Sequence, residues 1–226
     1  MSAQNASTLT REPLSMADIP LSPEAKITVE RRGQIVLIGV NRPQAGNRFD
    51  PAAFFALAKA YHDFDNDPSL RAAVLFGHGE NFSRGIDVDA FAPLARTGQP
   101  FAIKDGMLDP FARFPREAGW GNAMRYMLTG DHWGAEEALR MGVIQQIAPN
   151  PAQALEAGIE LARKIAACGP LGIKTTLESA HLAIDESEAA AFAKLNGQFG
   201  GLFHTEDFIE GRNAEAQGRP PVYQGK

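Results

Sequence analysis

The chain has 226 residues, 44% of them hydrophobic and 22% charged, with a net charge of −5, which suits one large domain or one domain with an appendage. Its 22 Lys and Arg form no basic stripe, which argues against a nucleic-acid partner. The longest apolar run, Ile35 to Val40, is too short to span a bilayer, and the single cysteine, Cys168, excludes an internal disulfide framework and fits a cytoplasmic location.

Residues 1–20 are rich in Ser, Thr and Pro, lack an apolar centre and carry Arg11, Glu12 and Asp18. They read as a disordered lead rather than a secretory signal. Ile27, Val29, Ile35, Leu37 and Val40 alternate about the turn Arg31-Arg32-Gly33, which predicts a hairpin. Asp50-Pro51 then supplies an N-cap and a first-turn proline for an amphipathic helix over 51–65. The unbroken apolar run 72–76 predicts a buried strand, the loop 77–85 follows, and 87–95 has helical spacing. This is the β-β-α-β-loop-α opening of an α/β protein with a crossover connection.

Beyond it the alternation stops. Residues 97–115 carry five Gly or Pro without periodicity and read as a loop. Helices are expected over 120–128, 135–141 (closed by Gly142), 151–167, 171–184, 186–203 and 206–217, with a strand at 143–147. Cys168 ends the apolar side of one helix and is expected to be a small buried hydrophobe. A strand at 72–76 with one neighbour would leave backbone groups on an edge.

Asn81-Phe82-Ser83-Arg84-Gly85-Ile86-Asp87 resembles the F-S-x-G-x-D loop of the enoyl-CoA hydratase/isomerase (crotonase) family. Leu128-Thr129-Gly130-Asp131 with 135–144 is similar to that family's L-T-G and A-x-E-A-x-x-x-G-L-V stretch. Glu206 to Gly211 and Gly218 to Tyr223 resemble its closing helix and tail. Asn41-Arg42-Pro43 through Asn47-Arg48-Phe49 is similar to the R-P-x-x-x-N-A-L segment that lies near coenzyme A. The resemblance runs in correct order from residue 26 to 226. It implies a crotonase-like ββα spiral core over 21–150, shortened near 111–115, and a helical C-terminal region over 151–226 used for oligomer contacts.

The implied chemistry is hydration or isomerisation of 2-enoyl-CoA thioesters through an enolate, whose oxygen needs two backbone N–H donors. By this resemblance the first donor is the N–H of Ile86, expected to be unpaired, and Gly85 gives the ligand room to approach. The implied acyl-CoA contacts are Gly46, Asn47, Arg48, Ser83, Gly85, Ile86, Asp87 and Val88. Arg48 replaces the usual alanine; a phosphate contact and a solvated side chain are both open. No metal or redox cofactor is implied, coenzyme A entering only as part of the substrate, and the implied assembly is a homotrimer or dimer of trimers.

The chain departs from the family at its centre. Residues 89–116 contain no G-G-x-x-E-like sequence, so the second oxyanion donor and the family's glutamates have no counterpart. Roughly fifty to sixty residues, about two crossover units, are missing. Activity is therefore expected to be impaired, and a non-catalytic acyl-CoA-binding or oligomerisation subunit, or a gene remnant, is the alternative. The remaining acids of the stretch, Asp89, Asp105, Asp109 and Glu117, identify no general base.

Other candidates are weaker. His62, His78, His132, His181 and His204 lack metal-ligand spacing. His78, in the loop before the turn, could border a ligand only as the lesser reading. Gly77-His78-Gly79 is a lone G-x-G. Asp87 is more simply a helix N-cap than a catalytic acid, and Ser83 has no partners for nucleophilic catalysis.

Overall fold

The computed structural model describes residues 25–96 and 110–226. The lead at 1–20, the 97–109 part of the expected loop, and Asp105 and Asp109 lie outside the described residues.

Strands β1 (Ile27–Arg32) and β2 (Ile35–Val40) form the expected hairpin, and β3 (Ala72–Gly77) joins them in the order β1-β2-β3. Bonds from Arg71 N–H to the Gln34 carbonyl and from His78 N–H to the Val40 carbonyl step along both strands in one direction, so β2 and β3 are parallel. The central strand β2 is buried at every residue, which accounts for its unbroken apolar run. Full burial of Leu37, Ile38 and Val40 contributes about 1.5–3 kcal/mol each. Beyond β2, β3 has no second partner among the described strands.

Helix α1 (Pro51–Asp65) makes the crossover. Asp50 caps it by accepting from Ala53 N–H at 2.8 Å, and Pro51 starts it where no amide donor is needed. Burial pushes the Asp50 carboxyl upward, but Lys26, the Ala53 amide and Arg42 outweigh it and hold it below the usual range. After β3 and its loop comes α2 (Val88–Ala95). Asp87 caps α2 through Ala90 N–H at 3.3 Å, so the N-cap reading of Asp87 holds.

Two expectations fail downstream. Residues 110–115 are helical, not loop: α3 spans Pro110–Ala118. Pro110 is its first residue, where a proline costs nothing, and only Pro115 interrupts its bonding. Residues 143–147 are not a strand. Instead Val143 and Ile144 donate to the Ala138 carbonyl, satisfying the end of α5 (Ala135–Arg140), with Gly142 at φ +79°.

Helix α4 (Trp120–Thr129) packs with its neighbours into a small core of Ala118, Ala123, Tyr126 and Met141. Tyr126 donates to Glu137 at 2.6 Å, and Arg140 adds two bonds to the same carboxylate. Arg140 and then Tyr126 hold Glu137 down at about 2.

The remaining helices are α6 (Pro151–Ala166), α7 (Pro170–Asp185), α8 (Glu188–Leu202) and α9 (Glu206–Ala216). Ser187 and Thr205 cap α8 and α9. Two carboxylates strap the tail to α9. Glu210 accepts from Arg219 and from Val222 N–H, and buried Asp207 accepts from Gln224 and Gly225 N–H. Cys168 is exposed, contrary to expectation, because it falls two residues past the end of α6, outside the apolar stripe.

The chain divides into two compact units. Of the described residues, one comprises 25–30, 38–65, 75–96 and 110–158; the other comprises 31–37, 66–74 and 159–226.

Candidate active site

The site is a turn bound to a loop, both within the first unit. The loop begins after β2. Pro43–Ala45 forms one 3₁₀ turn, Gly46 adopts a left-handed conformation at φ +60°, and Asn47 follows at φ +55°. Asn47 is the one described non-glycine residue in that region, where asparagine is tolerated better than most.

Its side chain explains why it is there. Asn47 is fully buried and all its bonding capacity is used. Its Oδ1 accepts from Arg42 N–H at 2.8 Å, and its Nδ2 donates to the carbonyls of His78 at 2.8 Å and Asn81 at 2.6 Å. The Asn47 side chain is therefore engaged in joining the two loops.

The second loop, 77–87, is stitched to the first. Ser83 Oγ donates to the Asn47 carbonyl at 3.0 Å and accepts from Gly85 N–H at 3.1 Å. Arg84 N–H donates to the Gly46 carbonyl at 3.0 Å. Phe49 N–H donates to the Gly85 carbonyl at 2.9 Å, and Asp87 N–H to the Phe49 carbonyl at 2.7 Å.

These last two bonds form a parallel bridge between Phe49 and Ile86. In a parallel bridge the flanking residues bond across and the central residue's own N–H points the other way. The Ile86 N–H accordingly makes no hydrogen bond to the described residues. Ile86 is 45% exposed, and Gly85, at φ +84°, has open space where a side chain would be. Val88 is also exposed, and Asp87 is engaged with Arg42 at 3.2 Å.

Arg42 was not singled out by the sequence. Its guanidinium reaches Asp50 at 3.5 Å, Asp87 at 3.2 Å and the Arg48 carbonyl, so it ties the caps of α1 and α2 on either side of the turn. Arg48 is exposed, and its guanidinium meets no partner among the described residues. A side chain at Gly46 would be strained, since it would sit at φ +60° and its Cβ would displace the Arg84 side chain, whose Cδ lies 2.7 Å from it.

Beside the turn, Asn81, Ser83, Arg84, Asp131, His132 and Trp133 line a cleft of about 300 Å³. Its one carboxylate, Asp131, has no described side chain orienting it. Asp89 and Glu117 are exposed on α2 and α3. Among the described residues no group of three His, Cys, Asp or Glu is arranged to hold a metal. No described helix is long and apolar enough to cross a membrane.

His78 is not among the residues that line this cleft, so the lesser of its two sequence readings does not apply there. It is 4% exposed, and its ring lies against Phe76 and bonds Thr28 Oγ1 at 2.9 Å.

A parallel strand pair joined by a helix, followed by a glycine turn with an outward N–H, is an α/β arrangement of the kind the crotonase resemblance implies. Comparison with known proteins agrees: the family described as Enoyl-CoA hydratase/isomerase matches residues 30–99 and 92–226. The chain belongs to the enoyl-CoA hydratase/isomerase family. Enoyl-CoA hydratase EchA19 of Mycobacterium tuberculosis is 30% identical over 273 positions, covering 93% of this chain and 100% of that protein. (E)-benzylidenesuccinyl-CoA hydratase of Thauera aromatica is 26% identical, covering 88% and 99%. The crystal structure of a probable enoyl-CoA hydratase/isomerase from Mycobacterium abscessus superposes with a TM-score of 0.81 at 30% identity, over 89% of this chain and 99% of that one.

The 273 aligned positions exceed the 226 residues of this chain, so it is shortened internally. The two matched stretches meet at 92–99, ahead of α3, which runs through 111–115.

Proposed function

We propose that this chain binds an acyl-CoA thioester with its carbonyl oxygen on the Ile86 N–H, and that it hydrates enoyl-CoA feebly. The observation that carries this is the outward, unpaired N–H at a glycine turn held rigid from both sides. Gly85 admits the thioester; Arg48, solvated and unpaired among the described residues, is placed to meet a phosphate of coenzyme A. Gly46, Ser83 and Asp87 shape the turn, and Val88 offers apolar surface near it.

What is missing limits the chemistry. Addition of water across the double bond needs a base to take the proton from water while the thioester oxygen gains charge. One oxyanion donor fewer lowers the rate by about a hundred- to a thousandfold, and loss of a general base by a further hundred- to ten-thousandfold. Asp131, which no described side chain orients, is poorly positioned to replace that base.

The exposed apolar residues of α7 to α9 support a second reading, in which the chain acts mainly as an oligomerisation subunit, a homotrimer or dimer of trimers in the cytoplasm. Both readings meet one experiment: calorimetric titration with crotonyl-CoA, then absorbance at the enoyl thioester band. Weak binding with no measurable loss of the band is expected. Turnover within tenfold of an ordinary enzyme's, about ten per second, overturns the proposal.

A further inference from the structure

The ring of His78 occupies a notch that the sequence has cleared for it. Gly39 interrupts the apolar run of β2, and a Cβ there would fall 2.4 Å from Thr28 Oγ1, 2.5 Å from His78 Nε2 and 2.6 Å from Phe76 Cζ. Real side chains do not approach so closely, so glycine at 39 and the imidazole at 78 require each other. Nε2 bonds Thr28 Oγ1 at 2.9 Å, and the same hydroxyl lies 3.4 Å from the Gly39 carbonyl. The other ring nitrogen, Nδ1, has no partner among the described residues.

His78 is also bonded at its backbone on both sides. Its N–H donates to Val40 and its carbonyl accepts from Asn47 Nδ2. The ring thus anchors the residue that Asn47 uses to hold the turn.

We propose that neutral His78 is a positioning residue for the Ile86 turn, and that its protonation releases the turn. The inference rests on the acyl-CoA reading for its functional consequence, but not for its structural one. The imidazolium carries a proton on both nitrogens, and the one on Nδ1 would be buried with no acceptor among the described residues. The elements packed on the ring present Thr28 from β1, Gly39 from β2 and Phe76 from β3, none of them charged. Lys26 and Glu30, on the same side of β1 as Thr28, lie about 7 Å away along the strand, and Lys26 is bound to Asp50. Among the described residues, therefore, no carboxylate bonds the ring to compensate an imidazolium. Burial alone lowers the His78 pKa from its ordinary 6.5. The sign follows from that direction: the neutral ring supports the turn fully above 6.5, and the support is lost as pH falls from there toward the lowered value.

The test is hydrogen exchange of the full chain, read at residues 80–88 and corrected for intrinsic rates, between about pH 7.5 and pH 5. Wild type is expected to lose protection there on the order of tenfold, the effect of stranding one buried donor, while α6 keeps its protection. His78→Gln supplies an N–H at similar reach and cannot titrate, so its protection should be flat across this range. A step that persists in His78→Gln, or no step in wild type, overturns the proposal. If His78→Gln does not fold, Thr28→Val serves instead: it removes the hydroxyl that bonds Nε2 and should speed exchange at 80–88 at neutral pH, and unchanged exchange overturns the proposal. Crotonyl-CoA binding measured over the same pH range should weaken in step with the loss of protection. Exchange that steps while binding stays constant would leave the positioning role intact and overturn the acyl-CoA reading of the turn.

Discussion

The turn around Gly85 and the helices α7 and α8 solve opposite problems. Around the turn almost every polar group is spoken for: Asn47, Ser83, Arg42 and Asp87 consume one another's donors and acceptors, and the Ile86 N–H stands out because nothing takes it. On the helices it is the apolar groups that lack partners. Helix α7 has no buried residue and α8 has only Ala191, while Ile184, Phe192 and Phe199 are 62%, 69% and 59% exposed. Polar saturation marks a region whose geometry is set within the chain. An apolar surface left bare marks one whose geometry is completed by something else.

The sharpest way to break the first half of that contrast is Asn47→Ala. It strands the Arg42 N–H and two carbonyls and places alanine in the left-handed region. With about 1–3 kcal/mol for each stranded buried group, a stability loss of at least 3 kcal/mol is expected, read as a lowered urea midpoint. A loss under 1 kcal/mol would mean that the loops are held elsewhere. The second half is tested by Phe199→Asp on α8. It should leave the urea midpoint within about 0.5 kcal/mol, as an exposed substitution does, and should reduce the sedimenting mass at micromolar concentration. A wild-type chain that already sediments as a monomer would contradict the reading of that surface.

The sequence carried the location of the turn well and its internal logic poorly. Gly85 could be placed because a strand before it and an N-cap after it leave few alternatives, and Asp50, Asp87 and the hairpin were legible for the same local reason. Asn47 was legible as a position but not as a role, because whether an amide faces a ligand or its own chain depends on a loop more than thirty residues away. His78 gave no signal of its own. Its one trace was Gly39, a glycine in an otherwise apolar strand, which marks close approach by something else. The helix at 110–118 was hidden by two prolines, of which the first opens the helix and only the second disturbs it. The supposed strand at 143–147 failed because a short apolar run cannot declare whether a neighbouring strand exists. Here its amides close a helix instead.

The central claim is that one backbone donor, Ile86 N–H, remains to polarise a thioester. The most direct test is the infrared difference spectrum of crotonyl-CoA labelled with carbon-13 at its carbonyl, recorded free and bound to the full chain. The account predicts that the carbonyl band moves to lower frequency on binding while the enoyl band stays intact over the time of the measurement. A bound thioester whose carbonyl band does not move would show that Ile86 holds no substrate oxygen.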